Sequence, residues 1–244
     1  MKCSRSDVRR KAHALPQLKF ECQTLTSFAG LVVFQKFFTT IDLKARLRSC
    51  FRHIRGGKVF DRATVFLQLI VHLLLGFREL QDCRYYRDDP LVKRLLGLKR
   101  LPDVATLSRM LKEMGAKSVE NLRRVLREMV LDRLRSIAPA RITLDFDGSV
   151  QSTKRHAEGT AVGFNKKKKG ARSYYPLFCT LAQTGQVMAV LHRSGNVHDS
   201  NGAQAFILPC IEQVKQALPN TVIEVRMDGA FFSDTLVSAL DEAG

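Results

Sequence analysis

The sequence has no C-x-x-C pair: its six cysteines, Cys3, Cys22, Cys50, Cys83, Cys179 and Cys210, are scattered along the chain. That spacing argues against a disulfide framework and against the common zinc sites, and for free thiols in a reducing compartment. Long hydrophobic runs are also missing. The longest, Val65 to Phe77, is interrupted by Gln68 and His72. It falls short of the roughly 20 residues a membrane-spanning helix needs and reads as a buried helix. The amino terminus is charged and lacks the apolar core of a signal peptide, which points to a cytosolic protein. No polybasic amphipathic helix adjoins a long apolar span, so a membrane is not the expected partner. No internal repeat is present.

Acidic residues are scarce in one part of the chain only. Residues 1 to 140 hold 29 Lys and Arg against 13 Asp and Glu, whereas residues 141 to 244 hold 11 against 10. Almost all of the formal charge of +17 therefore precedes residue 141. A basic module that attracts a polyanion, followed by a near-neutral module suited to chemistry, fits that split, and nucleic acid is the leading partner. With 45% hydrophobic residues, 244 residues can bury a core as one large domain or two smaller ones. The boundary falls at residue 139, giving a basic helical region over 1–139 and a second unit over 140–244.

The first unit reads as helices. Residues 1 to 20 form a polar, basic arm. From Thr26, with Ser27 as a cap, Phe28, Leu31, Val32, Phe34, Phe37 and Phe38 line a greasy face expected in the core. Asp42 to His53 is amphipathic and ends before Gly56-Gly57. Asp61 caps the long apolar helix through Gly76, Glu79 to Tyr86 continues helically, and Asp88-Asp89-Pro90 stops it. A short turn, Leu98 to Leu101, leads to a helix over Asp103 to Glu113. It places Val104, Leu107 and Leu111 inward and Thr106, Ser108, Arg109 and Lys112 outward. Such a pair presents a reading helix to a DNA groove, and ordinary helical bundles show the same pattern. Ser118 caps a further helix to Ile137.

After residue 139 the period changes to two. In R-I-T-L-D-F-D-G-S, Arg141 to Ser149, Ile142, Leu144 and Phe146 alternate with Thr143, Asp145 and Asp147, so both carboxylates share one face of a strand. No lysine or arginine adjoins them in the sequence, and such a pair is unfavourable unless a cation shares it. Hard divalent ions, magnesium above all, take oxygen ligands of this kind. A plain bend at Asp147-Gly148 explains the same letters. Thr221 to Met227 is a second strand ending in an acid and a glycine, Asp228-Gly229. If the two strands are neighbours, Asp147 and Asp228 meet at one edge. With a third acid they can hold two magnesium ions about 4 Å apart for in-line displacement at phosphorus.

Between them, residues 152 to 173 read as a loop rich in Lys, Gly and Arg. Lys166, Lys167, Lys168, Lys169 and Arg172 are placed to clamp a phosphate backbone beside the acids, or are simply solvated. Tyr174 to Ala182 and Gln186 to His192 form two antiparallel strands joined at Thr184-Gly185. His198, Asp199 and Ser200 lead into a helix over Asn201 to Ala217. Ser200 is a good cap, and His198 and Asp199 suit metal ligation, DNA contact or capping. Ser233 caps a last helix.

Five stretches together carry a family resemblance: L-T-S-F-A-G-L (25 to 31), L-D-F-D-G-S-V (144 to 150), K-K-G-A-R-S-Y-Y-P-L (168 to 177), R-S-G-N-V-H-D-S-N-G-A (193 to 203) and R-M-D-G-A-F-F-S (226 to 233). In this order the chain resembles the front part of a bacterial insertion-sequence transposase of the DDE type, in the group whose first acid lies in L-D-x-D-x-[TS]. The resemblance implies an α/β fold, a ribonuclease-H-like mixed sheet incomplete at its carboxyl end, behind an all-helical DNA-binding region. It further implies binding to the element's terminal inverted repeats and to target DNA, hydrolysis and strand transfer with Mg2+ or Mn2+, a homodimer on paired ends, and a cytoplasmic, nucleoid-associated location. Asp147 matches the first catalytic acid and Asp228 the second, while Asp145 fits an extra acid that supports the metal. The third acid, a glutamate on a later helix, is not matched, because Glu242 comes too soon after Asp228. A truncated, inactive copy is therefore expected, and the alternative is a non-catalytic DNA-binding regulator or inhibitor of transposition.

Overall fold

The computed structural model describes residues 25–54, 59–153, 156–163, 165 and 167–243. The basic arm expected over residues 1–20, the Gly56-Gly57 stop and Lys166 lie outside the described residues. Among those described, the first half is helical: α1 (Leu31–Thr40), α2 (Leu43–Phe51), α3 (Arg62–Leu74), α4 (Pro90–Leu96), α5 (Val104–Lys112) and α6 (Ala116–Ile137). A 3-10 turn over Leu80–Tyr85 separates α3 from α4.

Capping chemistry sets several of these boundaries. The Asp89 carboxylate accepts the N–H groups of Leu91 and Val92 at 3.0 and 3.1 Å. Pro90 stands at the first helical position, where its missing N–H has no partner to lose. The Asp88-Asp89-Pro90 stretch, read from sequence as a stop, is thus also a start. Asp103 caps α5 through the N–H of Thr106 at 2.9 Å. Ser118 does not cap: α6 begins two residues earlier behind Gly115, and the buried Ser118 hydroxyl sits 3.3 Å from His53 Nε2. The greasy face of α1 departs further from expectation. Leu31 is buried, but Val32, Val33 and Phe37 are 55%, 72% and 52% exposed. The main packing partners of α1 among the described residues are α2 and α4, against which Leu31 is buried.

The second half holds β1 (Arg141–Gly148), β2 (Gln151–Ser152), β3 (Ala161–Val162), β4 (Arg172–Tyr174), β5 (Leu177–Leu181), β6 (Val187–Leu191), α7 (Ala203–Ala217), β7 (Val222–Met227) and α8 (Asp234–Ala243). The main sheet has the order β6-β5-β1-β7. β1, β5 and β6 form an antiparallel meander, and the crossover through α7 lays β7 parallel to β1. This is a mixed sheet, as expected of an α/β protein. The stretch expected as a plain loop over 152–173 instead carries a second, small sheet of order β2-β4-β3. Two-residue strands leave too short an alternation to be read from sequence. α7 starts at Ala203 behind Gly202, whose φ of +74° suits glycine, and the Ser200 hydroxyl contacts His198 Nδ1 at 3.0 Å rather than capping.

On the inward face of the sheet Ile142, Leu144 and Phe146 are at most 1% exposed, and they meet Leu177, Cys179 and Leu181 of β5. Burying each such side chain contributes roughly 1.5–3 kcal/mol, which fixes the face of β1 that carries Asp145 and Asp147. α6 joins the two halves. Its Val125 packs in the helical core, while Val130, Leu131 and Leu134 pack under the sheet. The thiols of Cys50, Cys83, Cys179 and Cys210 are free and buried.

Candidate active site

The outward face of β1 and β7 is a polar ladder. Asp145 is opposite Arg226 and Phe146 opposite Met227, in parallel register. Asp147 and Asp228 each follow the last paired residues, Phe146 and Met227, by one position, on strands whose spacing is about 4.8 Å. Both are exposed. Asp228 Oδ1 accepts the N–H of Ala230 at 3.0 Å, which turns the chain into a 3-10 turn over Gly229–Phe231. Among the described residues no lysine or arginine forms an ion pair with either carboxylate.

Asp145 is in a different state. Arg226 donates to both of its oxygens, Nε at 2.9 Å and a terminal nitrogen at 2.7 Å. That hydrogen-bonded guanidinium holds the Asp145 carboxyl below its ordinary value. The sequence reading of two acids without a basic neighbour is corrected here, because the neighbour comes from the adjacent strand. Asp145 thus differs from Asp147 and Asp228 in having a guanidinium partner within the sheet.

The lysine loop reaches the same place. Lys167 and Lys168 line a cavity of about 640 Å³ together with Ser149, Tyr175, Asp199 and Asp228. Close backbone contact brings the loop there: a Cβ on Gly163 would fall 1.7 Å from the carbonyl oxygen of Gly195. Buried Asn165 then donates to the Ser152 hydroxyl at 2.7 Å and accepts the Lys168 N–H at 3.0 Å. Lys169 is exposed outside this lining. Arg172 is turned away from it, its Nε donating to the Thr160 hydroxyl at 3.0 Å and a terminal nitrogen to the Thr160 carbonyl. It ties β4 to the chain beside β3 rather than facing the acids.

Behind the acids lies a cluster that residue types alone did not reveal. The Tyr175 hydroxyl donates to Asp199 Oδ2 at 3.0 Å, and the Arg193 guanidinium approaches Asp199 Oδ1 at 3.5 Å. Burial, then the Asp199 carboxylate, then the charges of Asp147 and Asp228 push the Tyr175 phenol above its ordinary value. Asp199 is thus neither a helix cap nor a free ligand. Its conversion into a buried partner depends on Arg193, six positions away across two turns.

On α5, Arg109 and Lys112 are exposed and Thr106 is half-buried. Leu107 and Met110 form the buried stripe, whereas Val104 and Leu111 are 37% and 40% exposed. The inward face is therefore rotated from the one expected, following an i, i+3 pair rather than Val104 and Leu111. Thr106 and Arg109 border a groove with Arg62 and Arg100, where Arg62 pairs with Glu113 at 2.9 Å.

Among the described residues no three His, Cys, Asp or Glu side chains come together to hold a metal ion. The donor set is a pair of aspartates, which matches magnesium's use of one or two protein carboxylates with the rest of its shell from water and phosphate. No helix among those described is long and apolar enough to cross a membrane.

Among solved structures, the chain is similar to a pre-cleavage Mos1 transpososome at 12% identity and a TM-score of 0.28, over 78% of this chain and 58% of that one. It is also similar to the Mos1 strand transfer complex at 12% identity and a TM-score of 0.27, over 86% of this chain and 73% of that one. The chain thus spans little more than half of the first of these. No curated protein matches the sequence. The family described as transposase DDE domain group 1 matches residues 10–244, nearly the whole chain, and the protein belongs to that family.

Proposed function

We propose that the protein binds the terminal inverted repeats of an insertion sequence and target DNA, and that Asp147 and Asp228 carry metal-dependent phosphodiester cleavage and strand transfer. The observation that supports this reading is that two exposed carboxylates, free of ion-pair partners among the described residues, follow the last paired residues at the same end of neighbouring parallel strands. Asp147 and Asp228 hold Mg2+ or Mn2+, which supplies activation of the attacking oxygen and charge stabilisation at phosphorus. Lys167 and Lys168 hold the phosphate backbone in the cavity shared with Asp228. Lys169 extends that basic edge, and Thr106, Arg109 and Lys112 on α5 contact the repeat duplex as a second, separate surface. A homodimer pairing two ends belongs to the same proposal.

A duplex carrying the element's terminal repeat, incubated with the protein and Mg2+ or Mn2+, tests it. Nicking that disappears in Asp147→Asn and in Asp228→Asn, with duplex binding retained, is the expected result. Nicking that survives both changes would remove the two aspartates from the chemistry. One observation favours a second reading, a DNA-binding regulator without catalysis: among the described residues no third carboxylate joins the pair. On that reading the duplex is bound and never nicked, and both substitutions leave binding and inhibition of a full transposase unchanged.

A further inference from the structure

Arg193 is 7% exposed, and four backbone carbonyls surround its guanidinium. Nε donates to the carbonyl of Tyr175 at 3.2 Å, and one terminal nitrogen donates to those of His198, Asp199 and Asn201 at 3.2, 3.2 and 3.1 Å. The same guanidinium stacks over the Tyr175 ring at 5.3 Å. A buried arginine is costly unless it is paired and hydrogen-bonded. Here Nε and one terminal nitrogen bond Tyr175 and the turn over 198–201, and the other terminal nitrogen makes no hydrogen bond but stands 3.5 Å from Asp199 Oδ1 as an ion pair. The turn presents Asp199 to the Tyr175 hydroxyl, and the carbonyl of Arg193 accepts the Tyr175 N–H at 2.9 Å.

The chain of contacts ends on the first acid's strand. A Cβ placed on Gly148 would fall 2.5 Å from Tyr175 Cζ and hydroxyl oxygen and 2.8 Å from Asp199 Oδ1. The phenol and the carboxylate therefore lie directly against the backbone that follows Asp147, and the next amide, of Ser149, donates to the Pro176 carbonyl at 3.0 Å. We infer that Arg193, Asp199 and Tyr175 are positioning residues: they form a rigid backing that fixes the Asp147–Gly148 end of β1 so that the Asp147 carboxylate stays beside Asp228. This inference rests on the proposed role of Asp147 and Asp228 only for its effect on metal binding. Its effect on the order of β1 stands without it.

Two readouts on the full chain keep those apart. Amide hydrogen exchange over residues 144–149, without metal, is compared for the wild type, Tyr175→Phe and Asp199→Asn. Tyr175→Phe keeps the ring against Gly148 and removes the hydroxyl alone. Exchange about tenfold faster at these residues, with α4 unchanged, is expected in both variants, and rates equal to wild type would overturn the inference. Mn2+ titration followed by electron paramagnetic resonance adds the second readout. Loss of a group that orients a metal ligand typically weakens binding about 10–100-fold, and a loss in that range is expected for both variants. Asp147→Asn serves as the control. If it leaves Mn2+ binding intact, the metal assignment fails while the exchange data still decide the positioning role. If it abolishes binding but the two variants bind as tightly as wild type, the positioning role is overturned.

Discussion

On the outward face of β1 and β7 two rungs lie one above the other, and they are built differently. In the lower rung Asp145 receives a two-pronged hydrogen bond from Arg226. In the upper rung Asp147 and Asp228 come one residue after the last paired positions, and among the described residues neither has an ion-pair partner. Both rungs use the same strands, the same register and the same solvent-facing side. In the lower one the Asp145 charge is already paired within the protein. The upper one carries two carboxylates with no cation beside them among the described residues, the kind of pair an outside cation would stabilise. The contrast separates a carboxylate paired within the sheet from two that have no ion-pair partner among the described residues; that these two hold a cation is the proposal the following variants test.

The largest effect is expected from transplanting one rung onto the other. Asp228→Arg gives the upper rung the charge pattern of the lower. In wild type, Mn2+ at a hundredfold excess over its dissociation constant should stabilise the fold by about 2.7 kcal/mol. In Asp228→Arg that response should vanish, and the metal-free protein should melt no lower than wild type. Thermal melts with and without Mn2+ check both arms. A variant that still responds to metal would show that the upper rung is not the cation site.

Gly148→Ala probes what lies behind the upper rung only. The added methyl would meet the Tyr175 ring and the Asp199 carboxylate at 2.5–2.8 Å, and the buried Arg193–Asp199 pair limits how far they can yield. Overpacking of this kind costs roughly 1–3 kcal/mol. Denaturant melts should show a loss in that range together with weakened Mn2+ binding. Gly185→Ala is the comparison at an open turn: its φ of +66° imposes local backbone strain without any contact near the acids. Equal Mn2+ binding by wild type and Gly148→Ala would break the link between the backing and the rung.

The alternation through Ile142, Leu144 and Phe146 places Asp145 and Asp147 on the face away from the core, and the two strands that end in Asp-Gly are neighbours, the condition for Asp147 and Asp228 to share an edge. The same offset applied two residues earlier aligns Asp145 with Arg226, so the lower rung was legible in principle once the strands were taken as neighbours. Arg193 was not legible, because its partners are main-chain carbonyls, which every residue possesses. Nor was the exposed face of α1, since apolar spacing marks a stripe able to be buried but not which neighbour is present to cover it. The small sheet of β2, β3 and β4 escaped because its pairings span two or three residues each and leave no period to count.

The smallest effect is expected at the lower rung. Arg226 and Asp145 side chains are 62% and 32% exposed, so water and salt screen the pair. Arg226→Gln should cost less than about 1 kcal/mol at neutral pH. Its pH dependence has a defined sign. Arg226 holds the Asp145 carboxyl below its unfolded value in the folded protein, so the pair's contribution is fully present above the ordinary aspartate value of roughly 3.9. It is lost as pH falls through the folded value, where the carboxyl takes up a proton. Stability curves of wild type and Arg226→Gln should therefore be separated at pH 6 and converge in acid. The substitution also leaves Asp145 without its cation, two residues from Asp147 on the same face. If the lower rung is inert only because Arg226 occupies it, Mn2+ should bind Arg226→Gln more tightly than wild type. Unchanged affinity would mean that the geometry of the strand ends, and not the pairing of charge, distinguishes the two rungs.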